Sequence, residues 1–450
     1  MELFIVEIAR YVIILLFASY TFCSFHAFAG KNKGRQNRVF AAQGTLTVLL
    51  HAIMSALLIM ENKSLIYVFL WAGELVFYFV FIKVYQACYK GLSKLVLNNM
   101  MMCMMVGFIM LGRLSSQYAI HQVVLAAAAM VACIFVPFFI QRFSVLERLG
   151  WQYALVGILF LLLVFVIGVE KYGSRNWIRI GTIEVQPSEF VKIFYVFFMA
   201  SLLAKSTKFK HIVLVSCVAA VHVAILVAEK DLGAALIYFV TYIVVLYVAT
   251  MNVAYLGAGL AGGTLAAVAA FKLFAHVRTR VSAWQDPWGS IQAEGYQIAR
   301  SLFAIGTGGF IGMGLGKGLP GSVPVVESDF IFAAISEELG GVFAICLIMV
   351  YLSSYIMFVN IAMKMKKQFY KLTAFGLGVV FIFQVFLCVG GVTKFIPSTG
   401  VTLPLISYGG SSIMTTIIIF SIIQGMYVLN GREEEGFEEE EGSGGKKTGT

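Results

Sequence analysis

Polar and apolar positions along the chain fall into long blocks and do not alternate at short period. Apolar runs of about 18 residues or more, long enough for a helix to cross a bilayer, are separated by short polar punctuation. Roughly thirteen such runs fit, with cores at 3–22, 39–60, 65–86, 97–113, 119–141, 150–169, 187–204, 211–228, 232–250, 252–275, 330–358, 370–392 and 405–428. The pattern predicts an all-α polytopic membrane protein.

Composition agrees. The 450 residues are 60% hydrophobic and only 12% charged, with a mean hydropathy of +0.89, which excludes a water-soluble domain. Lys and Arg concentrate in "GKNKGRQNR" (30–38), "YKGLSK" (89–94), "QRFSVLER" (141–148), "AKSTKFKH" (204–211) and "KMKKQFYK" (364–371). Counted through thirteen spans, all five loops lie on one side, the cytoplasmic one by the positive-inside rule. The N-terminus and the long segment 276–329 are then expected outside, and the C-terminus inside. "AFAG" (27–30) resembles a signal cleavage site, but the chain opens "MELFIVE" and its basic cluster follows the apolar run, so an uncleaved first helix is expected.

The tail 431–450 holds seven Glu against three Lys and Arg, so the remainder is more basic than the net +10 suggests. The tail is expected to be disordered in the cytoplasm. The basic remainder suits anionic membrane lipids and gives no sign of nucleic acid. Seven scattered cysteines show no CxxC spacing, and no HExxH, Walker A or dinucleotide fingerprint is present. No metal site or certain cofactor is expected.

Ionisable residues in or beside spans are costly and therefore informative. Four outer segments concentrate them. In "EKYGSRNWIRIGTIEVQPSEFVK" (170–192), Arg175 and Arg179 flank Trp177, Pro187 opens a helix, and Glu189 and Lys192 stand three apart, placed to pair. An interfacial Trp belt with snorkelling Arg is the alternative to a functional role. In "AEKDLGAAL" (228–236), Glu229, Lys230 and Asp231 form either a tight outer turn or, if deeper, an ion network. The 276–329 loop is long for a functionless connection. It holds Arg278, Arg280, "WQDPW", an amphipathic "GYQIARSLFAI" and a Gly-rich run, 306–318, suited to close backbone approach or to hinging. In "TKFIPSTGVTLPLISYGGSS" (393–412), Lys394 lies outside, and small residues including Ser411 enter the last span, where they suit tight helix packing.

Asp329, Glu337 and Glu338 fall in "SDFIFAAISEELG" (328–340). Asp329 suits a helix N-cap. On an ideal helix Glu337 is rotated about 80° and Glu338 about 180° from it, roughly 12 to 14 Å deeper. The three acids do not share a face, and the deeper pair requires cationic or hydrogen-bonding partners in the bundle.

In order, "RNWIRIGTIEVQPSEFVKI", "KDLGAALI", "DPWGSIQAEGYQIARSLFAIGTGGFIGMGLGKG", "ESDFIFAAISEELG" and "PSTGVTLPLISYGGSS" resemble the SEDS family, the group of FtsW, RodA and SpoVE. The "TLPLISYGGSS" ending leans toward the FtsW and SpoVE branch. The resemblance implies a ten-helix glycosyltransferase core at 91–430 preceded by three added helices at 1–90. It implies a peptidoglycan glycosyltransferase that polymerises lipid II on the outer face of the cytoplasmic membrane, with a class B penicillin-binding protein as partner.

The family's aspartate falls on Asp329, implied to be the catalytic base. Arg175, Arg179, Lys230, Arg278, Arg280 and Lys394 become candidates for holding pyrophosphate, and Ser411 for substrate contact. A divalent cation, Mg or Mn, is a candidate assistant. Glu189, Lys192, Asp231, Glu337 and Glu338 become structural or coupling residues. The chain departs from the family pattern at "ESDFIF" for "HTDFIF", "RNWI" for "RRWI" and "VGG" for "NIG". A lipid II transporter and a non-catalytic scaffold are the competing readings.

Overall fold

The computed structural model describes residues 2–29, 32–171, 174–181 and 183–444. Its helices are α1 (Glu2–His26), α2 (Lys33–Asn62), α3 (Leu65–Cys88), α4 (Lys94–Leu114), α5 (Ser116–Cys133), α6 (Val136–Arg142) and α7 (Gly150–Ile167), followed by three short strands, β1 (Val169–Lys171), β2 (Ser174–Ile180) and β3 (Ile183–Val185). There follow α8 (Pro187–Lys205), α9 (Phe209–Ala228), α10 (Leu232–Thr250), α11 (Val253–Leu273), α12 (Ala275–Gln285), α13 (Tyr296–Gly308), α14 (Ile331–Lys364), α15 (Gln368–Val392) and α16 (Gly410–Gly444). Among the described residues thirteen helices are long and apolar enough to cross a membrane, with α5 and α6 forming one of them. Pro137 sits in the first turn of α6; it lacks an N–H and cannot continue α5, so the span breaks there.

The bundle is built around α4. After the hydrogen-bonded Asn98 and Asn99, its "MMMCMMVGF" is apolar on every side, as a central helix must be, and the methionines fill irregular gaps between neighbours. Gly107 allows the closest approach: a Cβ there would lie 2.8 Å from the Ile406 Cα and the Leu405 carbonyl oxygen. Helices α8, α15 and α16 complete the buried centre, whereas α11 buries none of its residues.

Two features depart from the sequence reading. Strands β1, β2 and β3 form an antiparallel sheet, with Val169 opposite Trp177 and Arg179 opposite Glu184. In "SRNWIRI" Asn176 and Ile178 are buried while Arg175 and Arg179 are exposed, the period of two that defines a half-buried strand. The acidic run after Gly431, expected to be disordered, continues α16 to Gly444. Glutamate has good helix propensity and here extends a helix already nucleated in the bundle. The last part of the expected tail, 445–450, lies outside the described residues.

Candidate functional site

Helix α14 is the scaffold of the site. It breaks at Gly340 (φ 87°, ψ 165°), and the break frees backbone groups that must find partners. The Gly-rich loop supplies them. Met313 N donates to the Glu337 carbonyl (2.9 Å) and Gly314 N to the Glu338 carbonyl (2.9 Å), while Gly341 N and Val342 N donate to the carbonyls of Gly309 and Phe310 (2.9 and 3.1 Å). The side chains of the same acids hold the loop's next turn. Glu338 accepts from Gly316 N (3.1 Å), Gly318 N (3.2 Å) and Arg113 Nε (3.0 Å), and Glu337 accepts from Leu319 N (3.1 Å). The close approach expected of the Gly-rich run is therefore made to the protein's own carboxylates. Glu338 finds the partners its depth demands, whereas Glu337 finds one for Oε1 and keeps Oε2 buried without a partner among the described residues; both hold the loop.

The loop delivers the chain to Asp329. The α14 helix begins at Ile331 with Phe330 as its cap residue and no side-chain capping bond, so Asp329 is not the N-cap. Its backbone is drawn off the helix instead. Ser407 Oγ donates to the Ser328 carbonyl (2.5 Å), Tyr408 N to the Glu327 carbonyl (2.7 Å) and Cys388 Sγ to the Asp329 carbonyl (3.6 Å). Val325, just upstream, is a β-branched residue in the left-handed region (φ 56°), a conformation that costs about 1–2 kcal/mol and that surrounding contacts must hold in place.

The Asp329 side chain is half-buried, with Oδ1 accepting from Ser328 Oγ (3.1 Å). Burial pushes its pKa above the ordinary aspartate value and the nearby Glu327 charge adds to the rise, against the Ser328 hydrogen bond and the positive charge of Arg280. Arg280, on α12, also donates from Nη1 to the Ser398 carbonyl (3.3 Å). Gly400 (φ 72°) completes the wall: a methyl there would lie 3.5 Å from Asp329 Oδ2 and 3.9 Å from Arg280 Nη2. Burial lowers the pKa of His276, and the charges of Arg280 and Lys230 lower it further. Arg280 thus sets a positive charge beside Asp329, and His276, held toward its neutral form, lies between the charges of Arg280 and Lys230.

The segments around 176–192, 228–236 and 393–402 join this wall. A Cβ on Gly233 would lie 3.0 Å from the Thr399 carbonyl oxygen, so the turn between α9 and α10 packs on the 399–401 loop. Asp231 caps α10 by accepting from Ala234 N (3.1 Å), and its other oxygen accepts from Asn176, Gln186 and Ser188 (2.9, 2.9 and 3.2 Å). Asp231 is therefore a hub tying β2 and α8 to α10. Lys192 Nζ bridges Glu189 Oε2 (2.7 Å) and Gln384 Oε1 (2.8 Å), and Gln384 donates on to the Thr402 carbonyl (3.2 Å).

Three candidates have other occupations. The Arg175 guanidinium bonds the Gly168 carbonyl (3.1 Å), Arg179 pairs with Glu184 (2.7 Å), and Arg278 turns back to the Lys272 carbonyl (2.7 Å); all three are exposed. Ser411 is buried and its hydroxyl accepts from Gln186 N (2.9 Å), so its observed role is within the bundle. Lys394 is half-buried on the same 394–400 loop, where its carbonyl accepts from Trp284 Nε1 (3.1 Å). Sequence reasoning passed over His276, Gln384 and Thr402. Gln384 was detectable as a lone amide in an apolar span.

A family profile for FtsW, RodA and SpoVE, described as cell cycle protein, matches residues 93–429. The chain belongs to the FtsW/RodA/SpoVE family. It is 39% identical over 307 residues to the peptidoglycan glycosyltransferase RodA of Mycobacterium tuberculosis, an alignment covering 63% of this chain and 65% of that one. The chain thus spans slightly less than two thirds of that relative's length. It is 33% identical over 323 residues to the stage V sporulation protein E of Bacillus subtilis, covering 68% of this chain and 86% of that one.

Among solved structures, a chain from a study titled "Structural coordination of polymerization and crosslinking by a peptidoglycan synthase complex" superposes with a TM-score of 0.64 at 24% identity, over 77% of this chain and 99% of that chain. RodA of Thermus thermophilus gives 0.56 at 24% identity, over 75% and 97%. The fold of this family member is that of polytopic RodA proteins. The chain is a multi-pass membrane protein. Among the described residues no three His, Cys, Asp or Glu side chains gather as metal ligands.

Proposed function

We propose that the chain is a peptidoglycan glycosyltransferase that polymerises lipid II into β-1,4 glycan on the outer face of the cytoplasmic membrane, with its N-terminus outside and C-terminus inside. The observation that carries this reading is Asp329, in a turn fixed by hydrogen bonds from two other elements and lying beside the positive charge of Arg280. Asp329 takes the proton from the acceptor GlcNAc 4-hydroxyl. The freed oxygen attacks the donor MurNAc anomeric carbon, and undecaprenyl pyrophosphate leaves with the bonding pair. A single displacement converts the α-linked donor into a β-linked product.

A carboxylate whose pKa is raised by burial is a stronger base than a free aspartate, which suits it to this transfer. Lys230, Arg280 and, from the 394–400 loop, Lys394 stabilise the departing anion by charge. A divalent cation such as Mg or Mn would find the Asp329 carboxylate, with the Glu327 charge nearby, as its protein partners and would supply positive charge to the departing pyrophosphate. Residues 91–430 form the catalytic core and 1–90 an added three-helix unit; a class B penicillin-binding protein is the proposed transpeptidase partner.

The test is polymerisation of labelled lipid II by the purified protein with its partner, in moenomycin to silence other transferases, comparing wild type with Asp329→Asn. Polymer from wild type alone is expected. Equal polymer from both removes Asp329 from the chemistry, and none from either favours a transporter or scaffold.

A further inference from the structure

Helices α1 and α2 precede the residues matched by the family profile, yet they reach the loop that leads to Asp329. Helix α1 is pinned against α14 and α4. Phe17 stacks on Phe343 with ring centroids 4.0 Å apart, and Thr21 Oγ1 donates to the Cys346 carbonyl (3.4 Å). Tyr20 and Ser24 hydroxyls donate to Asn99 Oδ1 (3.0 and 3.2 Å), whose amide donates to Ser353 and Ser354 (3.3 and 3.2 Å). From this anchored base the outer end of α1 meets the glycine loop: Arg10 Nη1 donates to the Gly312 carbonyl (3.3 Å), and a methyl on Gly314 would lie 3.1 Å from Val6 Cγ1. At the outer end of α2 the Glu61 carboxylate fills the space a Cβ on Gly316 (φ 85°) would need.

The loop is thus gripped from two sides. Glu337 and Glu338 hold its inner amides, and the added helices cover the other side. Gly309, Gly312, Gly314 and Gly316 all have positive φ, and a glycine run gains more conformational freedom on release than any other sequence. An outside grip therefore has most effect on a loop of this composition. The loop continues, through a 3-10 turn at Pro320–Ser322, to the turn carrying Asp329.

We propose that the N-terminal extension is a clamp acting within the chain, in which Arg10 and Glu61 are positioning residues that hold the glycine loop and, through it, Asp329. This inference rests on the glycosyltransferase reading. The experiment uses the full-length protein with Arg10→Met combined with Glu61→Ala, which removes the packing against Gly316, beside Arg10→Lys, which keeps a cationic donor. Amide exchange across 309–319, kcat and KM for lipid II, and resistance to unfolding are measured together.

The double variant is expected to speed exchange in 309–319 by about tenfold and to lower kcat by roughly three- to tenfold with KM unchanged. Arg10→Lys should retain most of both. Unchanged exchange overturns the clamp, as does faster exchange with wild-type kcat, or a rise in exchange spread evenly over the bundle. An inactive wild type overturns the glycosyltransferase reading and the positioning role with it, whereas an active wild type with indifferent variants overturns the positioning role alone.

Discussion

Replacing Glu338 by Gln tests whether the glycine loop is held chiefly by one buried carboxylate. The side chain is fully buried and accepts three bonds, from Gly316 N, Gly318 N and Arg113 Nε, at 3.1, 3.2 and 3.0 Å. Glutamine keeps the shape but has one acceptor oxygen, so its NH2 must face a donor, and the ion pair with Arg113 is lost. Removing one partner of a buried pair costs about 3–5 kcal/mol. Arg113 keeps 20% of its side chain exposed, so water recovers part of that cost and the lower end, about 3 kcal/mol, is expected. The assay is equilibrium unfolding in mixed micelles for Glu338→Gln, Arg113→Gln and the double variant. Because both singles break the same contact, the cycle should give a coupling of about 1.5 kcal/mol or more. Additivity within about 0.5 kcal/mol would refute the claim that the two side chains form one loop-holding unit.

Two further outcomes follow from the charges around the site. The acid limb of the pH dependence of kcat/KM for lipid II should lie above the ordinary aspartate range, because burial raises the Asp329 pKa. Arg280 pulls that pKa down, so Arg280→Gln should move the limb to higher pH, and a limb that stays in place would disconnect the two residues. Glu229 is buried, neither carboxylate oxygen has a hydrogen-bond partner among the described residues, and burial, aided by the Asp231 charge, pushes its pKa up to about 8. An acid with a raised folded pKa holds its proton longer in the native state. The stability it allows is full below the unfolded value and is lost as pH rises through the folded one. Stability should therefore fall between pH ~4.5 and ~8 with a slope approaching about 1.4 kcal/mol per pH unit, and unfolding of Glu229→Gln should show that slope removed.

The spans were legible because each is a long apolar run, a signal that survives without any knowledge of neighbours. The sheet at 169–185 was missed although Asn176 and Ile178 alternate with Arg175 and Arg179, because three short strands outside the bilayer give too few periods to stand against a chain of helices. Asp329 was found by its motif, but its geometry was not: a helix beginning at Asp329 is locally reasonable, and it is Ser407, Tyr408 and Cys388, all more than fifty residues away, that pull the turn off the helix axis. Among the cationic candidates, sequence had no means to separate Arg280, which faces Asp329, from Arg278 two residues earlier, which turns back to Lys272.

The three acids of "SDFIFAAISEELG" are related by the break at Gly340 more than by helical spacing. An unbroken α14 would satisfy its own carbonyls and leave the Gly-rich segment without backbone partners. Breaking it at a glycine turns Glu337 and Glu338 outward in function: their carbonyls and carboxylates together accept five amide hydrogen bonds from residues 313–319. The loop so fixed hands the chain to the 325–329 turn, where the strained Val325 and the half-buried Asp329 stay in place only while both ends are held. Two acids thus build the mount on which the third is presented. It follows that damage to Glu338 should impair polymerisation without any contact to substrate, whereas damage to Asp329 should abolish it with the mount intact.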